Sequence, residues 1–254
     1  MIDVLKGLQA AMNDQLNSMS QRKVARMAGL LYLAYIVIFA VSSVIQGRPI
    51  AWGNTAATAS NIVAAQGLFR LGVVMELIAA LLFLLAAWAL YVLFKPVNRD
   101  IALLFLLLNL VGVAIECAAT LIHFSALMVY QDSASMAAFK PEQLQTLGWL
   151  LLKVSSGGGM VDVLFYGAWL FPLGYLVIKS HRLPKVLGVL LILDGVCLMI
   201  CFVQLWFLPA YQKWTYPLFP VMFIAECGLG LWLAIMGVKE RAPAPTVATG
   251  GQRR

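Results

Sequence analysis

The sequence predicts an all-α membrane protein, a bundle of six transmembrane helices with short interfacial helices in the first and third hairpin loops. Of its 254 residues, 62% are hydrophobic and 11% are charged, whereas soluble domains average about 45–50% apolar and about 25% charged residues. The apolar residues also form blocks of about 20 or more, which is the length that crosses a hydrocarbon layer of roughly 30 Å. A water-soluble core cannot absorb this excess, so the composition excludes a soluble domain.

The amino-terminal segment, residues 1–23, is polar enough to stay outside the bilayer. Its apolar side chains have helical spacing, which predicts a short amphipathic helix on the cytoplasmic surface. The first span is expected at residues 27–45. In the loop at 46–68, Asn54 or Thr55 is a candidate cap for a short interfacial helix.

The remaining spans follow from the positions of the turn and breaker residues. The second and third spans, 71–94 and 101–130, are separated by the tight turn KPVNRD, where proline stops the helix. Residues 142–154 are amphipathic, which predicts a short interfacial helix, and the run SSGGG at 155–159 is expected to break it from the next span. The last three spans are expected at the ranges 160–178, 186–208 and 216–238.

These boundaries divide the chain into three parts. They are a cytoplasmic amphipathic segment at 1–23, a transmembrane domain at 24–240 and a cytoplasmic tail at 241–254. The tail, with the sequence APAPTVATGGQRR after its first residue, has almost nothing to bury and is expected to be disordered.

The distribution of basic residues predicts the orientation, because short cytoplasmic loops carry an excess of Lys and Arg. Six spans divide the 18 Lys and Arg residues into 13 on one side and 5 on the other. Both termini are therefore expected in the cytoplasm. The basic residues lie at the ends of apolar blocks and not along one polar stripe, so the charge of +7 gives no indication of nucleic-acid binding.

Five carboxylates lie inside the expected spans, although burying one costs about 2.5–3.5 kcal/mol on insertion scales. They are Glu76, Glu116, Asp162, Asp194 and Glu226. At about 1.5 Å per residue from the nearest cytoplasmic base, the first three share a layer roughly 25–28 Å up. Glu226 and Asp194 fall lower, at about 20 and 14 Å. The acids are thus ordered by depth.

Two of the spans carry a polar stripe at helical spacing, which in lipid must face the bundle interior or water. The stripes consist of Asn109, Glu116, Thr120 and His123 on the third span, and of Asp194, Cys197, Cys201 and Gln204 on the fifth. The candidate binding residues are accordingly Glu76, Glu116, Thr120, His123, Asp162, Asp194 and Glu226.

The sequence indicates no cofactor. His123, Glu116 and the distant cysteines match no recognised zinc or haem spacing. Cys197 and Cys201 lie one helical turn apart without a flanking positive charge, which is more typical of packing than of a redox pair. The SSGGG run lacks the following GK of a phosphate-binding loop.

Several stretches resemble a bacterial family of six-helix membrane proteins that is defined only as a domain of unknown function. They are RMAGLLYL at 26–33, NIVAAQGLFRLGVVMELI at 61–78, LYVLFKPVNRDIALL at 90–104 and GYLVIKSHRLPKVLGVLLIL at 174–193. The resemblance covers roughly residues 22–240. It implies six helices in the bacterial cytoplasmic (inner) membrane, and it supplies no activity or functional residues.

Three hypotheses follow for the function. The first is an outward-opening polar cavity lined by the acids, which binds or moves protons, cations or a small lipophilic or cationic molecule. The second is an enzyme acting on an outer-leaflet lipid, with Glu116 or Asp162 as general base and His123 as its partner. The third is a scaffold or regulatory subunit, whose acids fix helix register, alone or in an oligomer.

Overall fold

The computed structural model describes residues 2–131 and 138–239, and for residues 2–20 and Gln212 it describes the backbone alone. Within these ranges the chain consists of helices. They are α1 (Ile2–Gly47), α2 (Thr55–Ala64), α3 (Gln66–Phe94), α4 (Arg99–Gln131), α5 (Pro141–Ser180), α6 (Lys185–Phe207), a 3₁₀ segment (Pro209–Leu218) and α7 (Phe219–Ile235). The tail expected at 241–254 lies outside the described residues.

The prediction of an all-α protein with six membrane-spanning helices is confirmed. Six helices are long and apolar enough to cross a membrane, including one formed by the 3₁₀ segment together with α7. The long helices form a closed ring in chain order, in which each packs on the next and α7 returns to α1. Every long helix therefore presents one face to the interior of the ring and another to its surroundings.

The interior of the ring is filled by large side chains from all six long helices, and each is at least nine-tenths buried. Examples are Tyr32, Phe83, Phe105, Trp169, Leu191 and Leu229. The outer faces carry exposed aliphatic and aromatic side chains, among them Leu30, Leu81, Leu107, Leu150, Val189 and Phe223. Such an apolar exterior is what lipid requires, because hydrocarbon cannot hydrogen-bond polar groups.

The amino-terminal segment is continuous with the first span. The backbone of α1 is one 46-residue helix from Ile2 to Gly47, and its span-forming part begins at Gln21. The boundary expected at residue 23 therefore falls inside a helix. The apolar side chains of the amphipathic face expected on residues 1–23 lie outside the described residues.

The short helix expected in the first hairpin loop is present as α2. The Asn54 side chain accepts a hydrogen bond of 2.9 Å from the Ala57 amide and caps the helix, as its preference for this position predicts. Ile62 of α2 packs with Phe69 and Leu127, so α2 closes one end of the bundle over α3 and α4.

The expectation that SSGGG breaks a helix is wrong, because α5 runs through residues 155–159 without interruption. The short helix expected in the third hairpin loop is consequently the first part of α5. The glycines allow α4 to approach closely, since a Cβ at Gly158 would lie only 2.8 Å from the Ala119 Cβ. The Ser155 hydroxyl also donates a 2.8 Å hydrogen bond to the Ala119 carbonyl. Tertiary packing thus outweighs the low helix propensity of glycine.

The 3₁₀ segment between α6 and α7 was not anticipated from the sequence. It begins at Pro209, contains Pro217, and has non-helical backbone angles at Tyr211. Proline has no backbone N–H to donate to continuous α-helical hydrogen bonding, which explains why the last span is only partly α-helical.

Candidate functional site

The candidate site is built on the antiparallel packing of α4 against α5. Tyr130 lies over Gly148 at one end, and Tyr166 lies over Gly112 nearer the middle, each at a distance that leaves no room for a Cβ on the glycine. This register brings Glu116 of α4 level with Asp162 of α5. The small residues of both helices therefore hold two carboxyl groups at one height.

A cavity of about 810 Å³ lies at this level, between α3, α4 and α5. Three of the five predicted carboxylates line it, and we call them the cavity cluster: Glu76, Glu116 and Asp162. The remaining lining consists of Trp52, Ala119, Ser155, Ser156, Gly159, Met160 and Leu205. None of these described lining residues is basic.

Each carboxylate on α3 and α4 has a polar neighbour that fixes its position. The Gln46 amide donates to Glu76 and also to the Ser42 hydroxyl, at 2.8 Å. The Tyr166 hydroxyl donates to Oε2 of Glu116. Thr120, one turn along α4, donates to the Glu116 carbonyl at 2.8 Å and also neighbours the Glu76 carboxylate.

Part of the cavity cluster has unused hydrogen-bonding capacity. Glu116 is 4% exposed, and its Oε1 has no hydrogen-bond partner within the described part of the chain. Asp162 is 8% exposed. Buried carboxylate oxygens without partners are energetically costly, so the arrangement suits an occupant that supplies a positive charge or a proton.

His123 lies beside the cavity and not on its lining. It lines an adjoining compartment of about 240 Å³ together with Glu76 and Ser155, and its ring stacks on Phe69 at 5.0 Å. Its Nδ1 is 3.5 Å from the Ser155 Oγ, but the Ser155 proton is donated to the Ala119 carbonyl. His123 is therefore not placed to activate this serine as a nucleophile.

The other two predicted carboxylates form a second group, deeper in the ring. Asp194 of α6 and Glu226 of α7 interact with one another and with Tyr32 of α1. Asp194 is 0% exposed, and neither of its carboxyl oxygens has a hydrogen-bond partner among the described residues. Asp194 is therefore sealed inside the bundle with both acceptors unused.

Two further buried polar side chains lie near this level. Trp169 is 1% exposed, its ring packs edge-on against Tyr32 at 6.3 Å, and its Nε1 has no described partner. Asn109 is also fully buried with both amide atoms unpartnered in the described structure, and the α4–α5 register sets it opposite Trp169. Glu226 is partly exposed and the other four residues are buried, and we call these five residues the buried layer: Tyr32, Asn109, Trp169, Asp194 and Glu226.

Tyr35 lies near acids of both the cavity cluster and the buried layer. Its hydroxyl is within electrostatic range of Glu226, Glu116 and Asp162. Its ring stacks on Phe83 at 4.2 Å with an interplanar angle of 8°. Tyr35 is thus a packed aromatic residue close to both groups of acids.

Several residues of the site were missed from the sequence. Ser155 and Tyr166 lie seven residues before and four residues after Asp162, so helical spacing could have placed them on its face. Gln46 and Trp52 carry no such signal, because their approach to the acids depends on the tertiary packing of α1 and of the loop before α2. In the fifth-span stripe, Asp194 faces Glu226, whereas Gln204 donates to the Leu208 carbonyl at 3.1 Å and caps the end of α6.

The chain belongs to the family described as Domain of unknown function (DUF4386), whose model matches residues 27–237. This match confirms the resemblance and extends from the first span to the end of the last. No curated protein and no solved structure matches the chain.

Proposed function

We propose that this protein binds a small organic cation in its acid-lined cavity, in competition with protons, and moves it across the bacterial cytoplasmic membrane. In this proposal both termini face the cytoplasm and the cavity opens on the outer side. The observation that carries it is the convergence of three carboxyl groups, from α3, α4 and α5, on one cavity without a described basic lining residue. Intramembrane acids arranged in this way are characteristic of substrate and proton pathways.

The size and lining of the cavity favour an organic cation over a bound metal ion. Among the described residues, no three His, Cys, Asp or Glu side chains come close enough to hold a metal ion. The volume of about 810 Å³ is within the range of small-molecule sites, roughly 300–1,000 Å³. Trp52 adds an aromatic face to the lining. Among aromatic side chains, tryptophan attracts organic cations most strongly.

The buried layer extends the proposal from binding to movement. Glu226 and Glu116 are both within electrostatic range of Tyr35, and Glu226 interacts with Asp194. We assign them the role of relay, which accepts a proton when the cation occupies the cavity and returns it when the cation leaves. This requires that the two groups of acids exchange protons through the hydroxyl groups of Tyr35 and Tyr32.

The test uses benzyltrimethylammonium and its neutral carbon isostere, neopentylbenzene, with the full-length protein in nanodiscs. We expect the cation to bind and the isostere not to bind. Glu116→Gln is expected to weaken cation binding about 10- to 100-fold, because a charge-assisted contact contributes about 1.5–3 kcal/mol. The triple variant Glu76→Gln, Glu116→Gln, Asp162→Asn is expected to abolish both binding and cation-driven proton flux in proteoliposomes.

The matched control is Glu142→Gln. Glu142 is an exposed acid in the first turn of α5 and is not a lining residue of the cavity, so its neutralisation changes the net charge equally and should leave binding intact. Equal binding of the cation and its isostere, or unchanged flux in the triple variant, would overturn the proposal. If all acid variants fail to fold, as measured by thermal unfolding, a purely structural role of the acids would be favoured instead.

A further inference from the structure

The end of the bundle opposite the cavity carries a second concave surface. A pocket of about 380 Å³ lies where the α3–α4 turn, the α5–α6 turn and the chain after α7 meet. We call it the basic pocket, and it is lined by Pro96, Val97, Lys179, Ser180, His181, Arg182 and Lys239. Lys179 is 17 residues beyond Asp162 on α5, which corresponds to about 25 Å.

Hydrogen bonds tie the α5–α6 turn of the basic pocket to the chain after α7 and to α1. The Lys239 amide donates to the Arg182 carbonyl at 3.1 Å, which ties the end of the last span to the α5–α6 turn. His181 adopts a left-handed conformation, with φ of 53°, and turns the chain sharply after α5. The Arg182 guanidinium donates to the Gln21 side chain at 2.6 Å and fixes α1 beside the same turn.

The charges around the basic pocket are predominantly positive. Lys179 and Lys239 are exposed at its mouth, and the Lys179 ammonium donates to the Tyr175 hydroxyl at 2.9 Å. More basic residues lie at the same end of the bundle. They are Arg22, Lys23, Arg26, Lys95, Arg99 and Lys185. Among residues 21–131 and 138–239, Asp100 is the one acid at this end.

We propose that the basic pocket binds the phosphoryl group of an anionic ligand, and that its source is the headgroup of an anionic phospholipid. An excess of basic residues on one side is sufficient for topology. Topology does not require basic residues of the α5–α6 turn and of the chain after α7 to converge on one concave site. Ammonium groups recognise phosphate as point charges, and basic pockets between spans on the cytoplasmic side suit anionic headgroups.

The position of the basic pocket favours a lipid as the source of the phosphoryl group. Tyr175 lies one helical turn before Lys179 on α5, and the Lys179 ammonium is 5.3 Å from the centre of the Tyr175 ring. Aromatic rings with a cation above them are typical of the interfacial layer of a bilayer. A phospholipid can therefore lie with its chains along α5 while its headgroup reaches the pocket. This site is separate from the cavity cluster, and the proposal does not depend on the proposed transport.

The test measures binding of phosphatidylglycerol and phosphatidylcholine to the full-length protein in detergent by native mass spectrometry. The pocket variant is Lys179→Gln with Lys239→Gln. The control is Lys23→Gln with Arg99→Gln, which removes the same charge from the same end without altering a lining residue of the pocket. We expect the pocket variant to bind phosphatidylglycerol about tenfold or more weakly, and the control to change binding by less than about twofold.

A second measurement tests whether glycerol phosphate, a soluble phosphate ester without acyl chains, competes with phosphatidylglycerol. If it competes only at concentrations far above those of phosphatidylglycerol, the lipid is the source of the phosphoryl group. If it binds as tightly as the lipid, the phosphoryl site stands but the lipid assignment is overturned. Equal loss of phosphatidylglycerol binding in both variants, or no preference over phosphatidylcholine in the unmodified protein, would overturn the proposal as a whole.

Discussion

The cavity cluster and the buried layer both place acids inside the ring of helices, but they differ in how those acids are supported. In the cavity cluster, Glu76 and Glu116 receive hydrogen bonds from Gln46 and Tyr166, and all three acids border open space. In the buried layer, Asp194 has no exposed surface, and its two oxygens have no described partner.

Under the proposed function, this difference corresponds to a division of labour between the two groups of acids. Supporting hydrogen bonds orient the cavity acids without filling the space, as a site that exchanges its ligand requires. A sealed carboxyl group without partners is costly to stability and contributes no volume for a ligand. In the proposed mechanism this group carries a proton, a role that needs a change of protonation but no room for an organic molecule.

The largest expected effect is that of Asp194→Asn, which should separate cation binding from proton flux. Asp194→Asn keeps the shape of the side chain and removes its ability to carry a proton. We expect the affinity for benzyltrimethylammonium to stay within about threefold, while cation-driven proton flux falls by about tenfold or more. Nanodisc binding and proteoliposome flux on the same preparation measure the two effects.

Cys197→Ser is the control for Asp194→Asn, because Cys197 lies one turn further along α6 and is also buried. It should change neither affinity nor flux. Parallel losses of binding and flux in Asp194→Asn would show that the two groups of acids form a single site, and the division of labour would then be wrong.

An intermediate effect, on stability, is expected from a substitution at the α4–α5 contact beside the cavity. Gly158→Ala places a Cβ 2.8 Å from the Ala119 Cβ, so α4 and α5 must separate, at a cost of about 1–3 kcal/mol in stability. The separation should also lengthen the hydrogen bond between Ser155 and Ala119. Thermal unfolding in detergent measures the loss.

Gly157→Ala, the neighbouring substitution in the same SSGGG run, is the matched control. A Cβ at Gly157 meets nothing within 4 Å, so the change should leave stability unaltered or raise it by up to about 1 kcal/mol, through the higher helix propensity of alanine. Equal effects of the two substitutions would show that helix propensity, and not contact with α4, determines the outcome.

The smallest effect is expected at the rim of the cavity. Trp52 is 72% exposed and packs edge-on against Trp149 at 5.8 Å. Trp52→Ala should weaken binding of the organic cation about two- to fivefold, since an exposed cation–π contact contributes about 0.5–1 kcal/mol. Trp214→Ala, at a similarly exposed residue outside this cavity, should leave the affinity unchanged when both variants are titrated.

The fold was accessible from the sequence because span length and hydropathy are properties of contiguous residues. The six spans, the turn at KPVNRD and the cap at Asn54 all follow from local patterns. The continuous α5 did not follow, because glycine propensity is local, whereas the contact between Gly158 and Ala119 joins residues 39 positions apart.

The candidate site could be predicted from the sequence only in part. Counting residues from the basic turns set Glu76, Glu116 and Asp162 in one layer, and the structure brings these three carboxyl groups to one cavity. Their roles in binding stay predictions. The hydrogen bond from Gln46 and the approach of Trp52 depend on which helices are neighbours in the ring, and a single sequence does not contain that information.

The unbroken α5 makes distant parts of the molecule mechanically dependent on one another. Its 40 residues extend about 60 Å and carry Asp162 of the cavity cluster, Trp169 of the buried layer and Lys179 of the basic pocket. A continuous helix transmits tilt along its length, so an occupant that displaces α5 at Asp162 also displaces Trp169. Pro172 interrupts the hydrogen bonding of α5 between Trp169 and Lys179, so the basic pocket is less tightly coupled to the other two levels.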